Sequence, residues 1–285
     1  MKMKENDKEW TMVIKPQTNW LELHLDDLWR YRDLIYMFVK RDFVSQYKQT
    51  ILGPLWFLIQ PIITTFTYMV IFGGIAKIPT DGIPQPLFYM SGIMMWNYFS
   101  TCLNKTADTF VANAAIFGKV YFPRLTVPLS NVISGLVSFF IQMGLFVIVY
   151  IYFFTTGSTV HINSYILLLP YLILLMALLG LALGIIVSSL TTKYRDLKFL
   201  VGFGVQLLMY ATPVVYPLSV LPEKYKKYVL MNPMTGIIET FRYSVLGQGT
   251  MEWWYIGYST VFTVVVLFIG VVLFNKVEKN FMDTV

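Results

Sequence analysis

A run of 68 residues between Arg124 and Lys193 contains no lysine, arginine, aspartate or glutamate. A single helix of that length would be about 100 Å long, roughly three times the hydrocarbon thickness of a bilayer. The run therefore has to fold back on itself, and the polar stretch at 155–164 provides a turn. This feature predicts two membrane-spanning helices, at about 125–154 and 165–190.

Four other charge-free stretches are 23 to 28 residues long, enough for one membrane helix each. A charged residue at the centre of such a helix costs about 2.5–3.5 kcal/mol on insertion scales. A large soluble helical core would instead need charged outer faces, yet only 13% of the residues are charged and the mean hydropathy is +0.60. The fold class predicted is an all-α polytopic membrane protein. Its six transmembrane helices are predicted at about 51–75, 84–104, 125–154, 165–190, 199–219 and 253–275.

The cations are distributed unevenly between the loops. Of the 22 lysines and arginines, 17 lie in residues 1–48, 105–124, 193–198 and the tail after Asn275. The positive-inside rule places these segments, and so both termini, in the cytoplasm, in a protein of the cytoplasmic membrane. The net charge of +6 then reflects loops that face anionic lipid rather than nucleic acid. We divide the chain into a cytoplasmic segment (1–50), a six-helix domain (51–275) and a cytoplasmic tail (276–285).

Two regions outside the spans also have helical patterns. In the N-terminal segment, apolar residues such as Leu28, Ile35 and Phe38 recur near a 3.6-residue period. We expect an amphipathic helix in the membrane interface, or a helix that packs on a partner protein. The connection at 223–252 is apolar in part but too short and too charged to cross a bilayer. There we expect a re-entrant or interfacial helical hairpin, with an ordinary surface loop as the alternative.

Motifs for catalysis are missing from the sequence. The two histidines, His24 and His161, lie outside the spans, which excludes an HExxH-type zinc site, and no phosphate-binding loop or GxSxG elbow is present. Cys102 is the single cysteine, so no intramolecular disulfide forms. Charges within the spans, the usual sign of ion coupling, are almost absent. Lys105 and Asp108 stand three residues apart where the second span meets the cytoplasm, and we interpret them as an interfacial pair. We expect no enzyme activity, metal or cofactor in this chain, and energy for uphill transport must come from another subunit.

Aromatic residues make up 17% of the chain, and several lie in the first and fifth predicted spans. A row of aromatic side chains usually contacts lipid or packs in a core. Sugar rings have apolar faces that stack on aromatic side chains, so a channel for a glycan is a second interpretation of the same residues.

Seven short motifs occur in order along the chain. They are YRDL at 31–34, KRD at 40–42, YKQTILGPLW at 47–56, KVYFPR at 119–124, YRDL at 194–197, PVVYP at 213–217 and NPM at 232–234. Together they closely resemble the membrane subunits of bacterial ABC-type polysaccharide exporters, which move O-antigen, capsular or teichoic-acid polymers. The resemblance extends from about Tyr31 to Phe281.

The resemblance implies a homodimer with a channel lined mainly by the first and fifth spans. It also implies two copies of a cytoplasmic subunit that binds ATP and Mg²⁺, and a lipid-linked polysaccharide as substrate. Coupling to the ATPase is implied for Arg32, Arg41, Ile116, Phe117, Gly118, Lys119, Val120, Tyr121, Phe122, Pro123, Arg124, Tyr194, Arg195, Asp196 and Leu197. Channel lining is implied for Trp56, Gln60, Phe66, Tyr68, Phe203, Tyr210 and Tyr216, and an outer gate for Asn232, Pro233, Glu239 and Arg242.

Three alternatives stay open at the level of sequence. The same architecture could export a drug or a lipid. A membrane-embedded enzyme that modifies glycans would need clustered carboxylates or histidines at one membrane face, and the acidic residues are scattered. The arginines of the coupling loops could simply anchor those loops to lipid phosphates, so that they would contribute nothing to contact with a partner.

Overall fold

The computed structural model describes residues 25–48, 51–120, 122–194 and 196–284. Within these ranges the chain forms helices joined by turns and contains no strand. The helices are α1 (Leu25–Arg30), α2 (Arg32–Tyr47), α3 (Trp56–Tyr68), α4 (Gln85–Ala107), α5 (Thr109–Phe117), α6 (Thr126–Thr155), α7 (Leu169–Thr191), α8 (Leu197–Tyr210), α9 (Glu223–Leu230), α10 (Pro233–Leu246) and α11 (Trp253–Thr284). A π-helical segment, Met69–Ile75, extends α3, and a 3₁₀ turn, Ser164–Leu168, leads into α7.

Four helices of the described residues are long and apolar enough to cross a membrane. They are Trp56–Ile75, Thr126–Thr155, Ser164–Thr191 and Trp253–Val277. Each agrees in position with a predicted span. The four helices make the chain polytopic, whereas the count of six stays a prediction.

The second predicted span corresponds to α4, which lies at the centre of the molecule. Of its 23 residues 16 are buried, and it packs against α6 and α7. Because protein surrounds α4 on most sides, its composition does not have to suit lipid. It is accordingly less apolar than these four helices and contains polar residues such as Ser91, Asn97 and Asn104.

The fifth predicted span, at 199–219, is helical only as far as Tyr210. A 14-residue helix is about 21 Å long, short of the roughly 30 Å hydrocarbon core. Pro213 explains the stop, because a proline disfavours helical backbone at the residue before it. A turn and the 3₁₀ segment Leu218–Val220 follow instead.

Glycines allow α4, α7 and α11 to approach closely. A Cβ atom on Gly184 would lie 2.5 Å from Thr106 Cβ, and one on Gly180 would lie 2.7 Å from Cys102 Cβ, so these two glycines are the places where α7 meets α4. A Cβ atom on Gly270 would lie 3.0 Å from the carbonyl oxygen of Ala182, where α11 meets α7. Small residues at such contacts are typical of helix packing within a membrane.

The helices define two ends of the molecule. The basic end comprises α2, α5 and the loops at 118–125 and 192–196. The hairpin end comprises α9, α10 and the loops at 76–84, 156–163 and 211–222. The predicted hairpin is helical, since α9 and α10 are joined through Met231 and Asn232, and 13 of the 14 residues of α10 are buried. Its placement in the membrane is taken up below.

Candidate functional site

Aromatic side chains join the N-terminal helix to the first coupling loop at the basic end. The ring of Phe122 lies 5.7 Å from that of Phe38 on α2 and 5.6 Å from that of Phe117 at the end of α5. The guanidinium of Arg41 lies 4.7 Å from the centre of the Phe38 ring, and that of Arg124 lies 5.6 Å from the Phe117 ring. Buried rings therefore hold two predicted coupling segments together, and the arginines cover those rings.

The third coupling segment is tied to the start of α5. Lys198, one residue into α8, forms a 2.9 Å ion pair with Asp108, which lies between α4 and α5. The Thr191 hydroxyl at the end of α7 is 3.4 Å from the Ala107 carbonyl oxygen. The structure thus brings the segments around Arg41, Phe122 and Lys198 to one end of the fold.

The other residues of the coupling set occupy exposed or partly exposed positions of this end. Arg32 lies over the Trp29 ring at 5.7 Å, and Tyr194 is exposed with the Lys193 ammonium 5.4 Å from its ring. Ile116 lies in the last turn of α5, and Gly118, Lys119, Val120 and Pro123 lie along the loop that follows. Asp196 precedes α8, and Leu197 is its first residue. Tyr121 and Arg195 lie outside the described residues.

Six of the seven predicted channel residues lie on α3 and α8, two helices with few buried residues, and Tyr216 lies in the turn after α8. The first span is the most exposed of the four candidate spans, since only 11% of its most apolar stretch is buried. Its mean hydropathy of 1.6 is nevertheless the lowest, because the other three have values between 2.3 and 2.7. Trp56, Gln60 and Phe66 are on its exposed surface. A helix that simply faced lipid would be expected to be among the most apolar.

The exposed face of α8 has the same mixed character. Phe203 and Tyr210 share it with Gln206 and with Gly202, whose Cβ position has no atom of the chain within 4 Å. Among the described residues, the carboxamides of Gln60 and Gln206 have no hydrogen-bond partner. We call the exposed surfaces of α3 and α8 together the mixed face.

Tyrosines connect the two helices of the mixed face. The Tyr68 hydroxyl is 3.6 Å from the Met209 sulfur on α8, and its ring packs edge-on to that of Tyr89 on α4. The Tyr216 hydroxyl donates to the Tyr210 carbonyl oxygen at 3.1 Å. Tyr68 and Tyr216 are half-buried, so they support the mixed face more than they form its surface.

A buried arginine organises the hairpin end. The Arg242 guanidinium donates to the carbonyl oxygens of Pro213 at 2.5 Å and Val214 at 2.8 Å, and to the Ser91 hydroxyl at 3.2 Å. It also lies 3.9 Å from the centre of the Phe88 ring. One side chain on α10 thereby fixes both α4 and the turn that ends α8. These groups form the Arg242 centre.

The predicted pairing of Glu239 with Arg242 is present, at 3.4 Å, with both side chains buried. The sequence indicated this pair but not the carbonyl partners, since Pro213 and Val214 lie 29 and 28 residues away.

The remaining gate residues fix the beginning of α10. The Asn232 side chain accepts from the Met234 amide at 3.0 Å and donates to the Thr212 hydroxyl at 2.7 Å, which joins the hairpin to the turn after α8. Pro233 occupies the first turn of α10, where its missing N–H costs nothing.

A sequence-based expectation about Asp108 needs revision. Lys105 and Asp108 stand three residues apart and were expected to pair at the membrane boundary. The structure pairs Asp108 with Lys198 instead. Asp108 ends α4, and its side chain reaches the beginning of α8, a proximity that spacing along one helix could not indicate.

Comparison with protein families decides what kind of protein carries these features. The family model described as "ABC-2 type transporter" matches residues 33–246, which is most of the chain. The chain belongs to the ABC-2 type transporter family. Because four apolar helices accompany this match, the chain is a multi-pass protein of the inner membrane and a transport subunit.

Three relatives of this ABC-2 transporter chain each match between 74% and 88% of its length. The O-antigen export system permease protein RfbA of Klebsiella pneumoniae is 28% identical over 252 residues, which are 88% of this chain and 94% of RfbA. The polysialic acid transport protein KpsM of Escherichia coli is 24% identical over 246 residues, 86% of this chain and 93% of KpsM. The inner membrane transport permease YadH of Escherichia coli K12 is 27% identical over 220 residues, 74% of this chain and 82% of YadH. The resemblance inferred from the seven motifs is confirmed.

Proposed function

We propose that this chain is the membrane subunit of an ATP-driven exporter that translocates a lipid-linked polysaccharide across the cytoplasmic membrane. The observation that carries the proposal is the similarity to an O-antigen export permease over 94% of that protein's length. The names of the relatives favour this substrate class over the drug or lipid alternative, because RfbA and KpsM both transport glycans by name.

The mixed face supports a channel between two copies of the chain. In hydrocarbon, a polar group without a hydrogen-bond partner costs several kcal/mol. The unpaired carboxamides of Gln60 and Gln206 are better placed against a second copy or a water-filled lumen than against lipid. Exposed aromatic rings between them, such as Trp56, Phe203 and Tyr210, would stack on passing sugar rings.

The basic end supports docking of the ATP-binding subunits, which would hold the ATP and Mg²⁺. Three chain segments meet there, and their arginines and lysines would face acidic groups of the partner. Positive-inside reasoning puts this end in the cytoplasm together with both termini. We propose two ATP-binding subunits for each pair of permease chains.

The proposed transmembrane arrangement has six crossings. Besides the four apolar helices, α4 crosses inside the protein, and α8 crosses with help from the turn at 211–217. The buried helix α10 enters the outer leaflet with α9 at its surface, as a re-entrant hairpin that gates the channel. Along α4 the Arg242 centre at Phe88 and the Asp108 pair are 20 residues apart, or about 30 Å, which is the thickness of the hydrocarbon core.

The test is whether the substrate stimulates ATP hydrolysis by the purified complex. The chain would be co-purified with its ATP-binding subunit, reconstituted into liposomes and supplied with a lipid-linked glycan. We expect ATP hydrolysis to be stimulated by the lipid-linked glycan and hardly at all by drugs or by phospholipid alone. Stimulation by drugs or phospholipid, without a response to the glycan, would instead identify the drug or lipid exporter.

A further inference from the structure

The short helix α9 presents lysines and tyrosines together on its exposed side. Lys224, Tyr225, Lys227 and Tyr228 are all exposed, the two tyrosines by 55% and 69%. Residues three and four apart on a helix are neighbours, so these four side chains share one side of α9. The apolar residues 229–230 lie on the opposite side and are half-buried. We call the four exposed residues the α9 face.

The charges of α9 are not balanced within the helix. Lys226 lies 3.5 Å from the carboxylate of Glu223, so these two opposite charges offset each other. Among the described residues, neither Lys224 nor Lys227 has a carboxylate partner. The Lys224 ammonium lies 5.9 Å from the centre of the Tyr225 ring. Two positive charges therefore remain on the α9 face, beside aromatic rings.

This concentration of cations lies at the end of the molecule where cations are least expected. In the proposed arrangement the hairpin end faces away from the cytoplasm, and lysines and arginines are normally enriched in cytoplasmic loops. Three of the eight residues of α9 are nevertheless lysines. A helix that anchors in lipid exposes its apolar residues, whereas α9 turns Val229 and Leu230 away from its exposed side. The α9 face therefore fits an anionic ligand in the aqueous phase.

The helix α9 also lies next to the end of the mixed face. The helix α8 ends at Tyr210, and α9 begins at Glu223 after a turn. The Asn232 side chain, just after α9, donates to the Thr212 hydroxyl at 2.7 Å. This hydrogen bond holds the end of α9 beside the turn that follows α8. A polymer that leaves the mixed face at the hairpin end would therefore pass the α9 face.

We infer that the α9 face binds acidic sugars of the exported polysaccharide. Lys224 and Lys227 would contact the carboxylates or phosphates, and the rings of Tyr225 and Tyr228 would stack on the apolar faces of the sugars. A lysine ammonium is a compact charge with three rotatable donors, which suits anionic groups that arrive in changing orientations. Exposed ion contacts are weak one by one, so a polymer could be held and still move on. The inference rests on the proposed function and adds that the polymer is acidic.

A fluorescence titration with a local reporter tests the inference on the full-length chain. In a Cys102→Ser background, Met231→Cys would carry an environment-sensitive dye beside the α9 face, since Met231 is exposed. The detergent-purified protein would be titrated with sialic acid oligomers, an acidic glycan, with neutral dextran oligomers, and with oligoglutamate, which is acidic but has no rings. We expect half-saturation by the acidic glycan at a concentration about fivefold lower than by either of the others.

Two pairs of substitutions separate the roles of charge and ring. Lys224→Gln with Lys227→Gln should raise the half-saturating concentration of sialic acid oligomers about fivefold, the size expected of two exposed ion contacts. Tyr225→Ala with Tyr228→Ala should also weaken binding, whereas phenylalanine at both positions should retain it because the rings remain.

The matched control is Lys40→Gln with Lys193→Gln. It removes the same two charges from exposed positions at the basic end, and the response of the dye at residue 231 should be unchanged. Circular dichroism and gel filtration would check that all variants are folded.

Three results would overturn the inference. The first is a Lys224/Lys227 double glutamine variant that binds the acidic glycan as tightly as the unmodified chain. The second is equal affinity for dextran or for oligoglutamate, which would show that the α9 face does not select acidic sugars. The third is a dye in lipid nanodiscs that responds, through the same lysines, to phosphatidylglycerol and not to the glycan, which would assign the lysines to lipid headgroups.

The titration uses neither ATP nor the ATP-binding subunit. Its failure would leave the proposed export of a polysaccharide standing, because the polymer could be neutral. Failure of glycan-stimulated ATP hydrolysis together with a positive titration would instead count against the proposed function alone.

Discussion

Polar groups occur at two places within the predicted membrane region, and the two places differ in burial and in hydrogen-bond partners. At the Arg242 centre, a charged side chain is buried and contacts three carbonyl oxygens, a hydroxyl, a carboxylate and an aromatic ring. On the mixed face, Gln60 and Gln206 are exposed and have no partner among the described residues. The Arg242 side chain therefore finds its partners within a single chain, whereas the two glutamines of the mixed face do not find theirs among the described residues.

The exposed face of α11 has the composition expected of a surface that contacts lipid. Within 258–270 all its exposed residues are apolar: Val261, Val264, Val265, Phe268 and Ile269. The mixed face differs by its glutamines, tyrosine and glycines. This contrast indicates that the hairpin end is stabilised by contacts within the chain, whereas the composition of the mixed face fits the proposed contact with a second copy and a polymer.

The largest effect is expected at the Arg242 centre. Arg242→Met would leave Glu239 buried without its cation and the Pro213 and Val214 carbonyls without donors. Breaking a buried pair in this way costs about 3–5 kcal/mol. Tryptophan fluorescence during thermal unfolding of the detergent-purified chain should show a clearly lower midpoint. Lys227→Met, on the exposed surface of α9, is the control, and equal midpoints for the two variants would refute the central role of Arg242.

A smaller loss of stability is expected from Gly92→Ala. The new Cβ atom would lie 2.7 Å from the Val214 carbonyl oxygen and 2.8 Å from Arg242 Nη2. Overpacking of this kind costs about 1–3 kcal/mol, against a gain in helix propensity of up to about 1 kcal/mol. Gly257→Ala on α11 has open space around it and should not destabilise. The same unfolding assay compares them, and a Gly92→Ala midpoint at or above that of Gly257→Ala would contradict the geometry.

The sequence was sufficient to predict some parts of the fold and not others. Charge-free stretches located the four apolar helices that are long enough to cross a membrane, because charges are unfavourable in hydrocarbon regardless of tertiary structure. The partners of Arg242 could not be predicted, since backbone carbonyls carry no residue-specific signal. The exchange of Lys105 for Lys198 as the partner of Asp108 has a related cause, since Lys198 lies on α8, 90 residues further along the chain, and spacing along one helix gives no sign of that contact. The end of α8 at Tyr210 was in principle visible from Pro213.

A substitution on the mixed face should reduce glycan-stimulated ATP hydrolysis and leave the stability of the chain almost unchanged. Gln206→Leu leaves the packing of the described chain unchanged, so the free energy of unfolding should stay within about 0.5 kcal/mol of that of the original chain. In reconstituted complexes we expect a several-fold loss of glycan-stimulated ATP hydrolysis, because a polar group of the channel is removed. Val264→Leu on α11 should leave this activity intact. If both variants behave alike, the mixed face has no role that distinguishes it from a lipid-facing surface.

The smallest effect is expected at the Asp108–Lys198 pair, which is partly exposed. Such pairs contribute about 0.2–1 kcal/mol. Asp108→Lys or Lys198→Asp should each reduce coupling between glycan binding and ATP hydrolysis modestly, and the double exchange should restore it. A double exchange that is no better than the single variants would argue that the pair is incidental.

Site-directed cross-linking between copies tests the central claim most directly. Cys102 is the single cysteine and is buried, so a Cys102→Ser chain provides a clean background. Cysteines would be placed at Ile63, Phe66, Phe203 or Leu207 on the mixed face, and at Val264 or Phe268 on α11, and oxidised in native membranes. We predict covalent dimers from positions on the mixed face and none from α11. Dimers formed through α11 alone, or through neither surface, would contradict the claim that two copies complete each other along α3 and α8.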